Sequence, residues 1–443
     1  MMSREMRHSG IEWIGEIPKE WKTCRLKALS KIERGGSPRP IDDYISDTGY
    51  NWIKIGDTIK GNKYISTVRQ KINESGLSKT RLVHKGDLIL TNSMSYGEPY
   101  ILNVDGCIHD GWVAISELKI IDKEFLYYSL SSSVCKIQFG LQVAGGVVNN
   151  LNVDKIGTTL IVLPPLSEQQ KIANYLDKVC GEVDEMIALQ EQMIEELKAY
   201  KQSVITEAVT KGLNPNAPMR DSGIDWIGEI PVGWRTTRIK SIITLLTDYD
   251  ANGSFADIAE NVKVNTGSPY AWMVRATDLE NNRYGIVEGN NYCDENTYYY
   301  LSKSYLNGGE IIIAKRGEIG KVYLVPECGC KMTLAPNTYV LRLKDNLIFN
   351  KYLYYYMLSE KGKVQLVLNN KSTAIGAIYK EDVKKIAIAL PTLSEQQSIA
   401  SYLDTKCAEI DALIAIKQAK IEELKEYKKS VIYEHVTGKK EVV

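Results

Sequence analysis

The residues of this 443-residue chain with the chemistry to catalyse or bind are four histidines, eight cysteines and a set of polar loops. His8, His84, His109 and His435 lie too far apart in sequence to share a ligand motif, and no HExxH occurs. There is no CxxC pair, and Cys328 and Cys330 bracket one glycine, a spacing that suits neither zinc nor a disulfide staple. Lys321 follows a glycine, but Val322 stands where a phosphate-binding loop needs Ser or Thr, and the upstream glycine spacing is wrong. Asn214-Pro215-Asn216 only begins like the Asn/Asp-Pro-Pro-Tyr/Phe signature of amino-methylating enzymes. What remains is chemistry of recognition. Arg and Lys pair with guanine edges in the major groove, and Asn and Gln with adenine. Arg34-Gly35-Gly36-Ser37-Pro38-Arg39-Pro40 is glycine-rich and basic, and its small residues would let backbone approach phosphate. Asn92-Ser93-Met94-Ser95-Tyr96-Gly97 and Lys315-Arg316-Gly317-Glu318-Ile319-Gly320-Lys321 each follow an apolar run. The candidate nucleic-acid contacts are therefore Arg34, Arg39, Lys54, Asn92, Ser93 and Tyr96 in the first half, and Arg275, Lys315, Arg316, Lys321, Lys371 and Ser372 in the second.

The elements that must position these residues occur twice. Ser9-Gly10-Ile11-Glu12-Trp13-Ile14-Gly15-Glu16-Ile17-Pro18 returns 213 residues later as Ser222 to Pro231, and Trp21 returns as Trp234. Leu166-Ser167-Glu168-Gln169-Gln170 returns 227 residues later as Leu393 to Gln397, and residues 164–210 match 391–437 at 29 of 47 positions without a gap. The halves share their ends and differ in their middles. Each middle carries short β-type runs (Asn51–Ile55, Asp87–Thr91 and Trp112–Lys119; Ala271–Val274, Glu310–Ala314 and Thr338–Leu343) and a helix beginning near Phe125 or Tyr352. The spacing predicts an α+β fold: two mixed domains, 1–163 and 213–390, separated by helical segments 164–212 and 391–443.

Each helical segment opens with a possible capping box, Ser167 with Gln170 and Ser394 with Gln397. Leu176, Cys180, Val183, Ile187, Gln190, Ile194 and Leu197 step alternately by four and three, as do Leu403, Cys407, Ile410, Ile414, Lys417, Ile421 and Leu424. Such a seam needs a facing helix, and each copy is the natural partner of the other. An antiparallel pair would be pseudo-two-fold symmetric, and 44 residues at about 1.5 Å each make a rod of roughly 66 Å, against about 34 Å for a turn of B-DNA. The cysteines in these seams read as small core residues. The 27 tyrosines, densest at Tyr298–Tyr300 and Tyr354–Tyr356, read as helix faces or interface.

Charge follows the same division. The net formal charge is zero, but it is +3 over 1–163 and +2 over 213–390, against −4 over 164–212 and −1 over 391–443. No apolar run reaches membrane-spanning length, and Met1 to Gly10 lacks a secretory signal, so a cytoplasmic protein with reduced thiols and no membrane contact is expected.

The paired motifs, the divergent interior and the Leu-Pro-x-Leu-Ser-Glu-Gln-Gln helix start resemble the specificity subunit of type I restriction–modification systems, over essentially the whole chain. The resemblance implies two target-recognition domains, each reading one half of a bipartite asymmetric site on double-stranded DNA. It implies helices that set the spacer and dock two modification (methyltransferase) subunits, with restriction (translocase/endonuclease) subunits joining. Catalysis, S-adenosylmethionine and ATP with magnesium would belong to those partners, leaving no catalytic residue, metal or cofactor on this chain. The rival readings are a nuclease or methyltransferase with an unrecognised centre, and a coiled-coil adaptor without DNA specificity of its own.

Overall fold

The computed structural model describes residues 4–59, 61–93, 96–143, 151–316, 321–368 and 378–442. The chain folds into two compact units, residues 1–191 with 418–443, and residues 192–417. Two long helices, Leu166–Lys211 and Leu393–Val436, each give one segment to each unit. In the first unit Asp184 pairs with Lys428 at 2.7 Å and the Tyr175 ring lies 4.7 Å from His435, so the segments run antiparallel. Leu176, Cys180, Val183, Ile421 and Leu424 are buried there. In the second unit Lys201 pairs with Asp411 at 2.6 Å, and Ile194, Leu403, Cys407 and Ile410 are buried. Ile187, Leu197 and Ile414 are half-buried, as are the polar seam residues Gln190 and Lys417. No helix among the described residues is long and apolar enough to cross a membrane.

The helix starts differ from the capping boxes expected at Ser167 and Ser394. The helices begin at Leu166 and Leu393, two residues too early for those serines to cap them. In the second copy the box is Thr392 with Glu395: the Thr392 hydroxyl accepts from Glu395 N–H (3.3 Å) and the Glu395 carboxylate accepts from Thr392 N–H (3.1 Å). In the first, Pro165 holds that position and only its carbonyl caps. The repeated polar residues do other work. Glu168 accepts from the indole N–H of Trp21 at 2.9 Å, and Glu395 from that of Trp234 at 3.2 Å, which joins the two repeated motifs. Gln169 is fully buried; it accepts from Asp122 N–H (2.7 Å) and donates to the carbonyls of Ile120 (3.1 Å) and Pro164 (2.9 Å). Gln396 does the same with Phe349 N–H and the carbonyls of Leu347 and Pro391.

Those contacts set the helices Lys123–Ser131 and Asn350–Leu358, whose Phe125, Leu126, Tyr352, Leu353 and Tyr356 are fully buried. Each domain is built on two small sheets. In the first unit one sheet has the order Lys31–Arg34, Trp112–Ser116, Leu88–Thr91, Pro99–Leu102, Tyr64–Ile65, and the other contains Tyr50–Ile53 parallel to Gly106–Ile108. In the second unit the order is Ile243–Asp248, Thr338–Leu343, Ile311–Ala314, Val322–Leu324, with Ala271–Val274 parallel to Met332–Leu334 in the other sheet.

Gln169→Leu keeps the volume but strands one N–H and two carbonyls. It is expected to cost about 3 kcal/mol, seen as a lower urea midpoint. Ser167→Ala, which removes a hydroxyl with no hydrogen bond among the described residues, is expected to change stability by less than about 0.5 kcal/mol.

Candidate nucleic-acid interface

Four strand ends of the first unit converge. Leu88–Thr91 delivers Asn92 and Ser93, Tyr50–Ile53 delivers Lys54, Lys31–Arg34 ends on Arg34, and Gly106–Ile108 runs through His109-Asp110-Gly111 into Trp112. Backbone bonds tie the ends together: Gly35 N–H to the Trp112 carbonyl at 2.9 Å, Gly36 N–H to that of Ile108 at 3.1 Å, and Asn92 N–H to that of Gly111 at 3.0 Å. A Cβ on Gly35 would lie 2.1 Å from the His109 carbonyl and one on Gly36 2.5 Å from that of Lys79. The glycine pair therefore serves close backbone packing.

The result is a cleft of about 500 Å³ lined by Arg34, Lys54, Asn92, Ser93, His109 and Asp110, among others. The Asp110 carbonyl accepts from Asn92 Nδ2 (3.0 Å) and Arg34 Nε (3.3 Å), and its carboxylate from the Ser37 hydroxyl (2.7 Å). The Ser37 hydroxyl is the main influence holding the Asp110 carboxyl below the usual aspartate value. Arg39 is exposed, 3.7 Å from that carboxylate. Lys54 Nζ donates to Gln70 at 2.5 Å. Asn92 is 1 % exposed, and its Oδ1 has no hydrogen-bond partner among the described residues. Leaving such an acceptor unpaired costs about 1–3 kcal/mol. Tyr96, in contrast, packs against the core beside the cleft.

The second unit repeats the frame with other side chains. Lys315 N–H bonds the Asn337 carbonyl (2.8 Å) and the Lys315 carbonyl accepts from Ile378 (3.3 Å), as Asn92 bonds Gly111 and Leu151. Arg275 N–H bonds the Asp278 carboxylate at 3.3 Å as Lys54 N–H bonds Asp57 at 2.9 Å. The registers put Asp248 where the first unit has Arg34. Lys315 lies 3.0 Å from Asp248 and 2.5 Å from Asp250, and Lys380 lies 2.8 Å from Asp248. Burial alone would raise the Asp248 carboxyl, but the two ammonium groups more than offset it and hold it below its ordinary value. Arg275 is committed to the fully buried Asp278 (2.6 Å), which also receives the Trp272 indole N–H (3.2 Å). Lys321 pairs with Glu280. Arg316 is exposed. Lys371 and Ser372 lie outside the described residues.

Sequence reasoning missed Ser37, His109 and Asp110 in the first unit and Asp248, Asp250 and Lys380 in the second. The Asp110-Gly111 pair reads as an ordinary turn, and only the pairing of two sheets brings it to Asn92. Among the described residues no cluster of His, Cys, Asp and Glu is arranged to hold a metal ion.

Two α+β units on one frame, each presenting a different polar set at the same strand ends, define a duplicated recognition protein. The chain belongs to the type I restriction modification DNA specificity domain family, whose model matches residues 18–199 and 231–426. It is similar to the MjaVIII specificity subunit of Methanocaldococcus jannaschii, with 24% identity over 96% of this chain and 93% of that one. The EcoBI specificity subunit of Escherichia coli is 23% identical over 93% and 84% of the two chains. Among solved structures, a chain from a study of assembly and conformational transition in the type I R-M system shares the fold, with a TM-score of 0.73 at 18% identity over 95% of this chain and 99% of that one. The HsdS subunit from Thermoanaerobacter tengcongensis shares it with a TM-score of 0.52 at 19% identity over 95% and 98%.

His109 makes the first unit sensitive to acid. Burial is the main influence lowering its pKa below the ordinary 6.5. Its Nδ1 faces Gly111 N–H at 2.7 Å and Nε2 faces Ile55 N–H at 3.2 Å, so an imidazolium would set N–H against N–H on both sides. The unfolded chain therefore takes up this proton first. The stability held by the neutral ring is present above pH of about 6.5 and is lost as pH falls through the lower folded value. A urea midpoint that declines from pH 7 to 5 is expected, with a shallower decline in His109→Gln. The remainder belongs to buried His435, which burial shifts the same way. A flat midpoint over that range would rule out the neutral buried ring.

Proposed function

We propose that this chain is the DNA-reading subunit of a type I restriction–modification complex. Each unit reads one half of a bipartite, asymmetric site on double-stranded DNA. The long helices set the unread spacer. They also dock two modification subunits, which carry S-adenosylmethionine and methylate adenine; restriction subunits using ATP and magnesium complete the assembly. The chain itself contributes recognition and no catalytic step. The observation that carries this reading is the pair of matched strand ends with unlike side chains: Arg34 against Asp248, Lys54 against Arg275, Asn92 against Lys315, Ser93 against Arg316. A frame repeated this closely needs different tips only if the tips read different partners. Family membership speaks for recognition over a bare adaptor role.

Docking is supported by the helix surfaces. Met186, Leu189 and Tyr427 in the first unit are 49, 55 and 52% exposed, and Leu413, Ile416 and Tyr200, their counterparts 227 positions away, are 46, 61 and 57% exposed in the second. Large apolar side chains kept outside the seam at matched places suit two copies of one partner.

Co-expression with the cognate modification subunit, followed by mapping of methylated adenines, is expected to give one bipartite motif that vanishes without this chain. Arg316→Ala is expected to relax one position of one half-site, at a cost in binding of about 1–3 kcal/mol; an unchanged motif and affinity would remove Arg316 from the interface. Leu189→Glu with Ile416→Glu is expected to abolish co-purification of the modification subunit while leaving the urea midpoint nearly unchanged, because neither side chain is in a core.

A further inference from the structure

The first unit's cleft holds acceptors that no donor of the described residues takes up. Asn92 Nδ2 gives one hydrogen to the Asp110 carbonyl, and the flipped amide would set oxygen against oxygen, so Oδ1 is the acceptor left over. Asp110 uses Oδ1 for the Ser37 hydroxyl; its Oδ2 faces the exposed Arg39 at 3.7 Å, a loose ion pair beyond hydrogen-bond reach. The carboxyl is 42% exposed and, held ionised by Ser37, accepts only. An ionised carboxylate repels phosphate, so what it meets on DNA is a base edge, while Arg34, Arg39 and Lys54 around it supply the attraction for the backbone. In the major groove only adenine N6 and cytosine N4 donate; the guanine and thymine edges present acceptors.

We propose that this cleft reads an exocyclic amino group, adenine N6 or cytosine N4, through the Asp110 carboxylate oxygen that Ser37 leaves free. The proposal rests on the DNA-recognition reading above and adds the base chemistry of the first half-site. The second unit, with Lys315 in place of Asn92 and Pro336 in place of Asp110, would not share the preference.

The test uses the full chain in complex with its modification subunit. With Asp110→Ala, one position that the wild type specifies as adenine or cytosine becomes degenerate, in one half-site only. Asp110→Asn keeps the acceptor for Ser37 and turns Oδ2 into a donor, and it shifts that position toward guanine or thymine. A duplex carrying purine for that adenine, or 2-pyrimidinone for that cytosine, binds the wild type about tenfold more weakly and binds Asp110→Ala no more weakly than the parent duplex does. The proposal is overturned if no position relaxes, if the relaxed position was guanine or thymine, or if removing the amine weakens both proteins equally. A wild-type complex that methylates no motif refutes DNA recognition itself. A wild-type motif that both Asp110 variants leave unchanged refutes only the amino-group assignment.

Discussion

Gln169 and Gln396 are completely buried amides, each holding one backbone N–H and two carbonyls of the segment that leads into a recognition-domain helix. A buried amide is stable only when its partners are in place, so the first turn of each long helix and the chain entering Lys123–Ser131 or Asn350–Leu358 must form together. The adjacent Glu168 and Glu395 carry the coupling on to Trp21 and Trp234. Glycine closes the frame at the other helix ends: Gly438 and Gly212, both at positive φ, sit where a Cβ would press on Trp21 (2.9 Å) and Trp234 (3.1 Å). Helix start, helix end and repeated motif thus form one fastening in each unit. The strand ends at which the two units differ lie outside it and are free to change.

That freedom has a limit, and the limit is visible two turns along the first long helix. In the second unit Asp404 receives Lys351 at 2.6 Å and the Tyr355 hydroxyl at 2.8 Å. In the first, Asp177 receives the Tyr128 hydroxyl at 2.6 Å, but the counterpart of Lys351 is Glu124, a like charge. Lys63, from the variable interior, lies between Glu124 and Asp177 at 2.5 Å from each and over the Tyr128 ring at 4.8 Å. Burial works against its charge, yet the two carboxylates carry its pKa above the ordinary lysine value. Breaking one side of a partly buried charge cluster is more costly than losing an exposed pair. The interior of the first domain is therefore matched to Glu124, and moving that interior onto a frame bearing lysine there would set Lys63 against another ammonium.

Duplication, helix positions and seam were legible because each rests on local periodicity: burial of Leu176, Cys180 and Val183 follows from their four-three spacing. The strands were legible to within one to three residues, since Leu88–Thr91 and Ile311–Ala314 are short apolar runs between turns, while the run from Trp112 ends at Ser116 and not at Lys119. The Ser167 cap was misread because a Ser-x-x-Gln pattern satisfies the motif while Pro165 has already started the helix. The sites were half legible. Arg34, Lys54, Asn92 and Ser93 come together, but their central partner Asp110 arrives through pairing of strands from two sheets, which no local pattern encodes. Charge alone also hides internal partners: Arg275 stands out in the sequence as a cation, and a fully buried Asp278 pairs with it.

The same frame thus yields two surfaces of opposite character, and the difference lies in where each unit balances its charge. In the second unit the strand-end cations are answered from within, Lys315 by Asp248 and Asp250 and Arg275 by Asp278, so exposed Arg316 stands at the tip on a braced support. In the first unit, among the described residues, Arg34 bonds only a backbone carbonyl of the cleft, exposed Arg39 lies 3.7 Å from the Asp110 carboxylate, and Asn92 keeps an unpaired oxygen. A surface whose polar groups are already satisfied gains little from a new partner, whereas one that holds a buried acceptor open gains when a donor arrives and loses when an acceptor does. Discrimination between bases depends on that penalty for the wrong edge more than on attraction to the right one. The first unit's unfinished hydrogen bonding is a cost in the free protein that, in the reading proposed above, becomes selectivity on the duplex.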